Sequence, residues 1–166
     1  MRPATMVAHA RLKAILDYEP NTGVFRWKTA VNGWASKGNA FPGKIAGRKT
    51  GDGYWTIPVD GKNYLSHRLA WFFVTSEWPV KIIDHADGNK LNNRWENLRL
   101  ATTAQNTANA KLNKNNKSGF KGVSFANGKW QARISVNLGA FDTPEEASAA
   151  YMRAAKMLWG EFASKG

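Results

Sequence analysis

A carboxylate and an imidazole stand side by side at the end of a short apolar run, in Asp84 and His85. An Asn-rich segment follows them, and Asn106 comes later on a stretch with a helical pattern. Imidazole has a pKa suited to removing a proton from water near neutral pH. Carboxylate and amide oxygens are ligands that Mg²⁺ prefers. These residue types predict a site that holds one hard metal ion and activates one water molecule beside a phosphate.

The charge of the chain indicates that this phosphate belongs to nucleic acid. Among 166 residues, 24 Lys and Arg stand against 12 Asp and Glu, which gives a formal net charge of +12. The segment 97–141 contains no acidic residue, and its cations are Arg99, Lys111, Lys114, Lys117, Lys121, Lys129 and Arg133. Such an excess attracts polyanions, of which DNA and RNA are the commonest. We therefore expect a nucleic-acid partner and a basic stripe through one third of the chain.

The composition excludes several other classes of site. The chain has no cysteine, so disulfides and thiolate zinc sites are excluded and a reducing compartment fits. No apolar run approaches the roughly 20 residues of a membrane span, and residues 1–6 lack the apolar core of a signal peptide. We expect a cytoplasmic protein, in the host cytoplasm if phage-encoded, with no membrane partner and no small-molecule cofactor.

The first part of the chain mixes helical and strand patterns. Residues 7–17 predict a short helix, 24–28 a strand, and 29–43 a loop. Asp60-Gly61, between two β-rich runs, predicts a hairpin, and Pro58 predicts that its first strand lies at a sheet edge. A helix capped by Ser66 is expected to follow and to end before Trp78-Pro79.

The central part of the chain is predicted to run strand, turn, strand, helix. A buried strand at 80–83 delivers Asp84 and His85, and a turn at 86–97 leads to a second strand at 98–101. Thr102 or Thr103 then caps a helix that carries both Asn106 and Asn109.

The C-terminal part predicts three strands followed by one helix. The polar segment 112–117 has the composition of a linker. Strands are predicted at 121–125, 129–136 and 138–141, with Asn127-Gly128 as the turn of a hairpin. Thr143 as cap, Pro144 at the first position and Glu146 predict the start of a helix that Gly160 ends. The predicted class is α+β.

The central residues carry a family resemblance. Asp84-His85-x-Asp87-Gly88-Asn89-x-x-Asn92-Asn93-x-x-x-Asn97-Leu98-Arg99, followed by Asn106, resembles the HNH endonuclease motif of phage and intron-encoded homing enzymes with Asn at the third position. The upstream segment 64–70 is similar to this family as well.

The resemblance implies a ββα-metal (His-Me finger) fold and a role for each matching residue. It implies His85 as general base, Asp84 and Asn106 as ligands of one divalent ion, Mg²⁺ or Mn²⁺, and Asn97 as a structural residue of the loop. The position of Arg99 in the motif predicts a phosphate contact.

Several neighbouring residues admit other roles. Asn109 lies one helical turn from Asn106 on the same face and is an alternative ligand. Asn92 and Asn93 are expected to form the turn. His67 is expected to be a helix-start or core histidine.

A second resemblance covers residues 118–163. The segments Ser118–Val123, Gly128–Ile134 and Leu138–Tyr151 are similar to the APETALA/ethylene-response-factor DNA-binding domain. In that family a three-stranded sheet enters the major groove and a helix packs behind it. The resemblance implies DNA contacts by Lys121, Lys129, Trp130 and Arg133, with core packing as an equal alternative for Trp130.

Together the patterns predict a nuclease domain at 1–111 with its ββα-metal motif at about 80–111, a linker at 112–117 and a DNA-binding domain at 118–166. The predicted activity is metal-dependent, homing-type cleavage of double-stranded DNA, nicking or site-preferring, by a monomer or homodimer. The alternative is a catalytically inactive, sequence-specific DNA-binding regulator. A third class, an RNA-binding protein, would prefer single-stranded RNA.

Overall fold

The computed structural model describes residues 6–30 and 41–164, so that residues 31–40 of the predicted loop lie outside the described residues. The chain packs as two compact units, residues 1–100 and 101–166. Both units combine helices with small β-sheets, in agreement with a mixed α and β class. Within the described ranges, no helix is both long enough and apolar enough to cross a membrane.

The first unit contains the elements that carry Asp84 and His85. In chain order they are α1 (His9–Ile15), β1 (Leu16–Glu19), β2 (Val24–Trp27), β3 (Arg48–Lys49), β4 (Trp55–Val59), β5 (Lys62–Leu65), α2 (Ser66–Thr75), β6 (Ile82–His85) and β7 (Leu98–Ala101), whose last residue begins the second unit.

Strands β1 and β2 form an antiparallel hairpin close to the N-terminus. The predicted helix at 7–17 is too long, because the chain turns from α1 into β1 at Leu16. Apolar and acidic residues alternate in β1, so that Leu16 and Tyr18 are buried while Asp17 and Glu19 are exposed. This two-residue period is the pattern of a half-buried strand, and pairing with β2 stabilises it over the helix.

The predicted hairpin at Asp60-Gly61 is present as β4 and β5, but its first strand is not an edge strand. Strand β4 lies between β3 and β5 in a three-stranded sheet. Pro58 is tolerated because β3 pairs only with Trp55 and Thr56, so that β3 requires no hydrogen bond from Pro58.

Helix α2 packs on this sheet through a buried apolar stripe. Leu69, Ala70 and Phe72 are buried in the core of the first unit. The predicted cap at Ser66 is wrong, because Leu65 occupies the cap position and Ser66 is a buried first helical residue. The helix ends at Thr75, and the left-handed backbone of the cap residue Ser76 (φ 64°) turns the chain toward β6.

Strands β6 and β7 pair with each other and enclose the Asn-rich loop at 86–97. The observed β6 begins two residues later than predicted and includes Asp84 and His85 themselves. The order strand, loop, strand, helix agrees with the sequence pattern. The next helix, α3 (Thr103–Asn109), begins at Thr102, which forms a capping box with Gln105.

The second unit contains the predicted three strands and one helix. After α3 these are β8 (Val123–Ala126), β9 (Lys129–Ile134), β10 (Val136–Phe141) and α4 (Pro144–Trp159). The strands form an antiparallel sheet with β9 in the centre. Thr143, Pro144 and Glu146 start α4 as the sequence predicts. The small buried residues Ala132, Ala147 and Ala155 allow the helix to pack closely on the sheet.

Candidate active site

Strand β6 ends with two buried polar residues, Asp84 and His85, each only 5% exposed. Buried polar groups require hydrogen-bond partners, and a buried charge requires an opposite charge. The surrounding residues of the first unit provide both, so that the two side chains are held in defined positions.

The imidazole of His85 is oriented by an asparagine from the loop. Its Nε2 lies 3.1 Å from Oδ1 of Asn93. Because this amide oxygen can only accept, Nε2–H is the donor. Burial lowers the pKa of His85, and the hydrogen bond with Asn93 opposes this effect. The ring is therefore neutral near pH 7, which is the form that a general base requires.

Two more rings lie beside His85. The His67 ring meets the His85 ring edge-on at 5.0 Å between centroids, and Tyr54 lies 5.4 Å from His67. Lys90 Nζ lies 4.3 Å from the centre of the Tyr54 ring. His67 is buried, as the prediction of a core histidine implies, and its Nδ1 has no hydrogen-bond partner.

The carboxylate of Asp84 is paired with a guanidinium. Arg99 Nε donates to Asp84 Oδ2 at 2.9 Å, and both side chains are largely buried. The sequence predicts that Arg99 contacts phosphate, and this stays a prediction. The observed ion pair compensates the negative charge that burial of Asp84 would otherwise leave unpaired.

Asn97 ties the ends of the loop together. Its Oδ1 accepts from the main-chain N–H of Asp87 at 3.0 Å, and its Nδ2 donates to Asp87 Oδ1 and to the Asn92 carbonyl at 3.0 and 2.7 Å. Partial burial opposes ionisation of Asp87, but hydrogen bonds from Asn92, Asn89 and Asn97 outweigh it and lower its pKa. The loop is a compact turn built on a charged carboxylate.

The two candidate ligands on α3 belong to the second unit. Asn106 is half-buried and Asn109 is buried, one helical turn apart. Their approach to Asp84 stays a prediction, as does the choice between them.

The donor set suits a hard divalent cation. Asp84 carries carboxylate oxygens, and Asn106 and Asn109 carry amide oxygens; that they bind one cation together stays a prediction. Within residues 6–30 and 41–164, no three His, Cys, Asp or Glu side chains cluster as a metal cage. Mg²⁺ fits such a sparse set, because it commonly retains several waters and binds through one or two carboxylates.

The predicted DNA-contacting residues of the second unit divide between two faces of the sheet. Lys129 and Arg133 are exposed on β9, alternating with buried Ala132 and Ile134. Lys129 pairs with the exposed Asp142. Trp130 shares the helix-facing side with Ala132 and packs on the core, in line with the predicted alternative of core packing, and its DNA contact stays a prediction.

Lys121 makes contacts within its own unit, and its predicted DNA contact stays a prediction. Its ammonium donates to the carbonyl of Ala108 at 2.7 Å and to that of Ser164 at 3.5 Å. Burial lowers the pKa of Lys121. The side chain thus binds one carbonyl at the end of α3 and one near the C-terminus, both inside its own unit.

Comparison with known proteins shows the family to which the sequence around this site is related. A family model described as HNH endonuclease matches residues 64–108. Protein 3.8 of Escherichia phage T7 is 38% identical over 88 residues, which cover 49% of this chain and 72% of that protein. The chain belongs to the HNH endonuclease family.

Two further relatives carry the family in their names. The uncharacterized HNH endonuclease L560 of Acanthamoeba polyphaga mimivirus is 37% identical over 108 residues, 63% of this chain and 57% of that protein. The SPbeta prophage protein YosQ of Bacillus subtilis is 43% identical over 58 residues, 34% of each chain. Its name describes it as an HNH homing endonuclease. The chain thus spans just over half of the mimivirus protein. No solved structure matches the chain.

The HNH match includes residues whose contacts the sequence does not reveal. Asn93 is predicted as a turn former, yet its side chain turns inward to His85. Its neighbour Asn92 bonds Asp87 within the turn. Two adjacent asparagines look alike in a polar run, and only the fold distinguishes the inward one.

Because His67 is buried, we expect the first unit to become less stable as the pH falls. Burial, with the nearby charges of His85 and Arg68, lowers the pKa of His67 to about 3. The unfolded chain takes up this proton near pH 6.5, so between pH 6.5 and 3 it binds one proton more than the folded chain. His67 should therefore lower the free energy of unfolding by about 1.4 kcal/mol for each unit by which the pH falls between 6.5 and 3.

Urea unfolding followed by tryptophan fluorescence at pH 7, 6, 5 and 4 measures this slope. In the variant His67→Gln, the slope of the unfolding free energy against pH should be smaller by the contribution of about one proton. An unchanged slope in His67→Gln would show that His67 titrates normally in the folded protein.

Proposed function

We propose that this chain is a metal-dependent DNA endonuclease of the homing type, which hydrolyses phosphodiester bonds in duplex DNA. The observation that carries the proposal is the buried Asp84-His85 pair, with a neutral imidazole beside a carboxylate that Arg99 holds. The names of the mimivirus and Bacillus relatives support the activity. The formal net charge of +12 supports a nucleic acid as the substrate.

In this proposal His85 acts as the general base. Nε2–H is donated to Asn93, which leaves Nδ1 as the basic nitrogen. Nδ1 accepts a proton from water while the water oxygen attacks phosphorus. The bond from phosphorus to the 3′ oxygen breaks, that oxygen takes a proton from a second water molecule, and the resulting hydroxide takes the proton from His85. The products are a 5′-phosphate and a 3′-hydroxyl.

Asp84 and Asn106 would hold the divalent cation, with Asn109 as the alternative to Asn106. When bound, Mg²⁺ or Mn²⁺ supplies stabilisation of the charge on the phosphate and on the leaving oxygen. Asn97 keeps the loop after His85 in place through its three hydrogen bonds. One such centre in each chain cuts one strand, so that a double-strand break needs a homodimer or two successive events.

The products and the substrate class test this function. Labelled duplex DNA, single-stranded DNA and single-stranded RNA are offered in separate reactions with Mg²⁺. We expect duplex DNA to be cleaved and DNA ligase to reseal the nick, because ligase requires a 5′-phosphate and a 3′-hydroxyl. Cleavage confined to RNA, or nicks that ligase cannot seal, would contradict the proposal.

We further propose that the outer face of the C-terminal sheet contacts DNA, in keeping with the resemblance to the APETALA/ethylene-response-factor domain. The face opposite α4 carries Lys129, Gln131 and Arg133 on β9. Ser124 and Asn137 pair beside Gln131 and Arg133 on the neighbouring strands and are exposed. A polar and basic sheet face can contact phosphates and base edges.

Removing the two cations of this face should weaken DNA binding and reduce its dependence on salt. Each phosphate contact contributes about 0.9 to the slope of log K against log salt concentration. The double variant Lys129→Gln with Arg133→Gln should therefore lower the slope by about 2 at most. Fluorescence anisotropy with labelled duplex across a salt series measures it.

The matched control removes the same charge from α4. Arg153 and Lys156 are exposed there, and Arg153→Gln with Lys156→Gln leaves the outer sheet face intact. An equal loss of slope in both double variants would show that overall charge, and not this face, determines binding.

A further inference from the structure

Asn93 connects His85 to a part of the chain far from it in sequence. Its side chain is buried, and Oδ1 accepts from His85 Nε2 at 3.1 Å. On the other side of the amide, Nδ2 donates to the Leu91 carbonyl at 3.4 Å. The amide therefore presents its oxygen to the imidazole, and this fixes which ring nitrogen carries the proton.

The main chain of Asn93 is held by the β1–β2 hairpin. Tyr18 Oη donates to the Asn93 carbonyl at 2.7 Å. Two residues further on, the Trp95 N–H donates to the Pro20 carbonyl at 3.0 Å. The hairpin therefore holds this part of the loop at two points, one of them the residue that contacts His85.

Gly23 shows how close this approach is. Its φ of +73° is a conformation that side chains disfavour, and a Cβ there would lie 2.3 Å from the Asn93 carbonyl carbon. Only glycine allows the hairpin turn to lie directly against the loop backbone.

Tyr18 is itself fixed by packing. Its ring lies 4.7 Å from that of Phe25 and 5.9 Å from that of Phe73. Burial raises the pKa of the Tyr18 phenol, so its O–H stays a donor. A rigid aromatic core thus supports the hydrogen bond to Asn93.

We propose that Asn93 is a positioning residue for the general base, and that the β1–β2 hairpin holds Asn93 in place. The inference rests on the proposed function of His85. The family match covers residues 64–108, whereas the hairpin spans residues 16–27. The positioning machinery of the nuclease centre therefore extends beyond the matched HNH segment.

The first test compares Asn93→Ala with Asn93→Asp, which keeps an acceptor oxygen. Steady-state nicking of plasmid DNA in Mg²⁺ gives kcat and KM separately. We expect Asn93→Ala to lower kcat by about 10- to 100-fold with little change in KM, as removal of a group that orients a histidine commonly does. Asn93→Asp should recover part of the loss. Asn63→Ala, an exposed amide on β5, is the matched control and should keep wild-type rates.

The second test reads the His85 ring directly in the full chain, with long-range ¹H–¹⁵N NMR. We expect Nε2–H in the wild type and a mixture of tautomers in Asn93→Ala. Tyr18→Phe should leave the ring protonated at Nε2 and lower kcat by about 3- to 10-fold, since it removes one neutral hydrogen bond.

These measurements separate the inference from the proposed function. Full kcat in Asn93→Ala, or Nδ1–H in wild-type His85, would overturn the inference. If the wild type cleaves no DNA, the proposed function fails, but the NMR measurement still tests whether Asn93 orients the His85 ring. Protonation at Nε2 in the wild type that is lost in Asn93→Ala supports this role of Asn93. The same tautomer in both proteins overturns it.

Discussion

Replacing His85 with alanine should abolish DNA cleavage while the protein still binds DNA. General-base catalysis contributes about 100- to 10,000-fold to such reactions, and His85 is the histidine that adjoins Asp84. We expect that the neighbouring His67 cannot replace it, because burial holds the pKa of His67 at about 3 and so makes it a weak base. Single-turnover nicking rates, measured alongside affinity by anisotropy, test both halves of this expectation.

His9→Ala is the matched control for His85→Ala. His9 lies in the same unit, where its Nε2 donates to the Phe73 carbonyl of α2 and its ring lies beside the Ser76 hydroxyl. The His9→Ala variant should cleave DNA at close to the wild-type rate. A His85→Ala protein that loses DNA affinity in proportion to cleavage would instead make His85 a structural residue.

The second large effect should follow loss of the Asp84 charge. Asp84→Asn keeps the shape of the side chain but removes the carboxylate that would hold the cation. We expect nicking to fall by at least about 100-fold, because metal stabilisation of phosphoryl charge amounts to several kcal/mol. Mn²⁺ binding to the full chain, measured by electron paramagnetic resonance, should weaken in parallel.

The Asp84→Asn result needs a check on folding, since Arg99 loses its ion-pair partner. Thermal unfolding by circular dichroism provides it. Asp17→Asn, an exposed aspartate on β1, is the charge-matched control and should retain both nicking and Mn²⁺ binding. Wild-type nicking by Asp84→Asn at equal Mg²⁺ concentration would exclude Asp84 as a ligand.

Local signals in the sequence predict the elements well where short-range chemistry determines them. Thr143 and Glu146 start α4 because their side chains accept from free N–H groups of the first turn, and Pro144 fits there because it has no N–H to satisfy. Asp60-Gly61 forms its turn because both residues adopt positive φ there. The Asp84-His85 pair could be located because the order of polar residues after it is specific.

The sequence does not predict contacts that depend on distant residues. Tyr18 and Asn93 are 75 positions apart, and no local pattern joins them. Strand β1 follows α1 without a turn signal, so the helical pattern hides it. The resemblance implies a DNA contact for Lys121, but no local pattern shows that its ammonium also donates to the Ala108 carbonyl at the end of α3.

The placement of Trp130 illustrates the same limit on a sheet. A strand exposes alternate side chains on opposite faces, and the sequence alone does not show which face the helix covers. The packing of Ala132 and Ile134 against α4 determines it, and Trp130 lies with them. Arg133 and Lys129 then remain on the outer face.

The central claim, that the Asp84-His85 centre cuts DNA, is tested most directly by nicking of supercoiled plasmid carrying a library of random inserts. Wild-type protein is incubated with Mg²⁺ or Mn²⁺, and EDTA is added to a parallel reaction. We expect open-circular product with either metal, none with EDTA, and none from His85→Ala. Supercoiled DNA that stays intact across metals and salt concentrations, while the protein binds it, would contradict the account and favour a DNA-binding regulator.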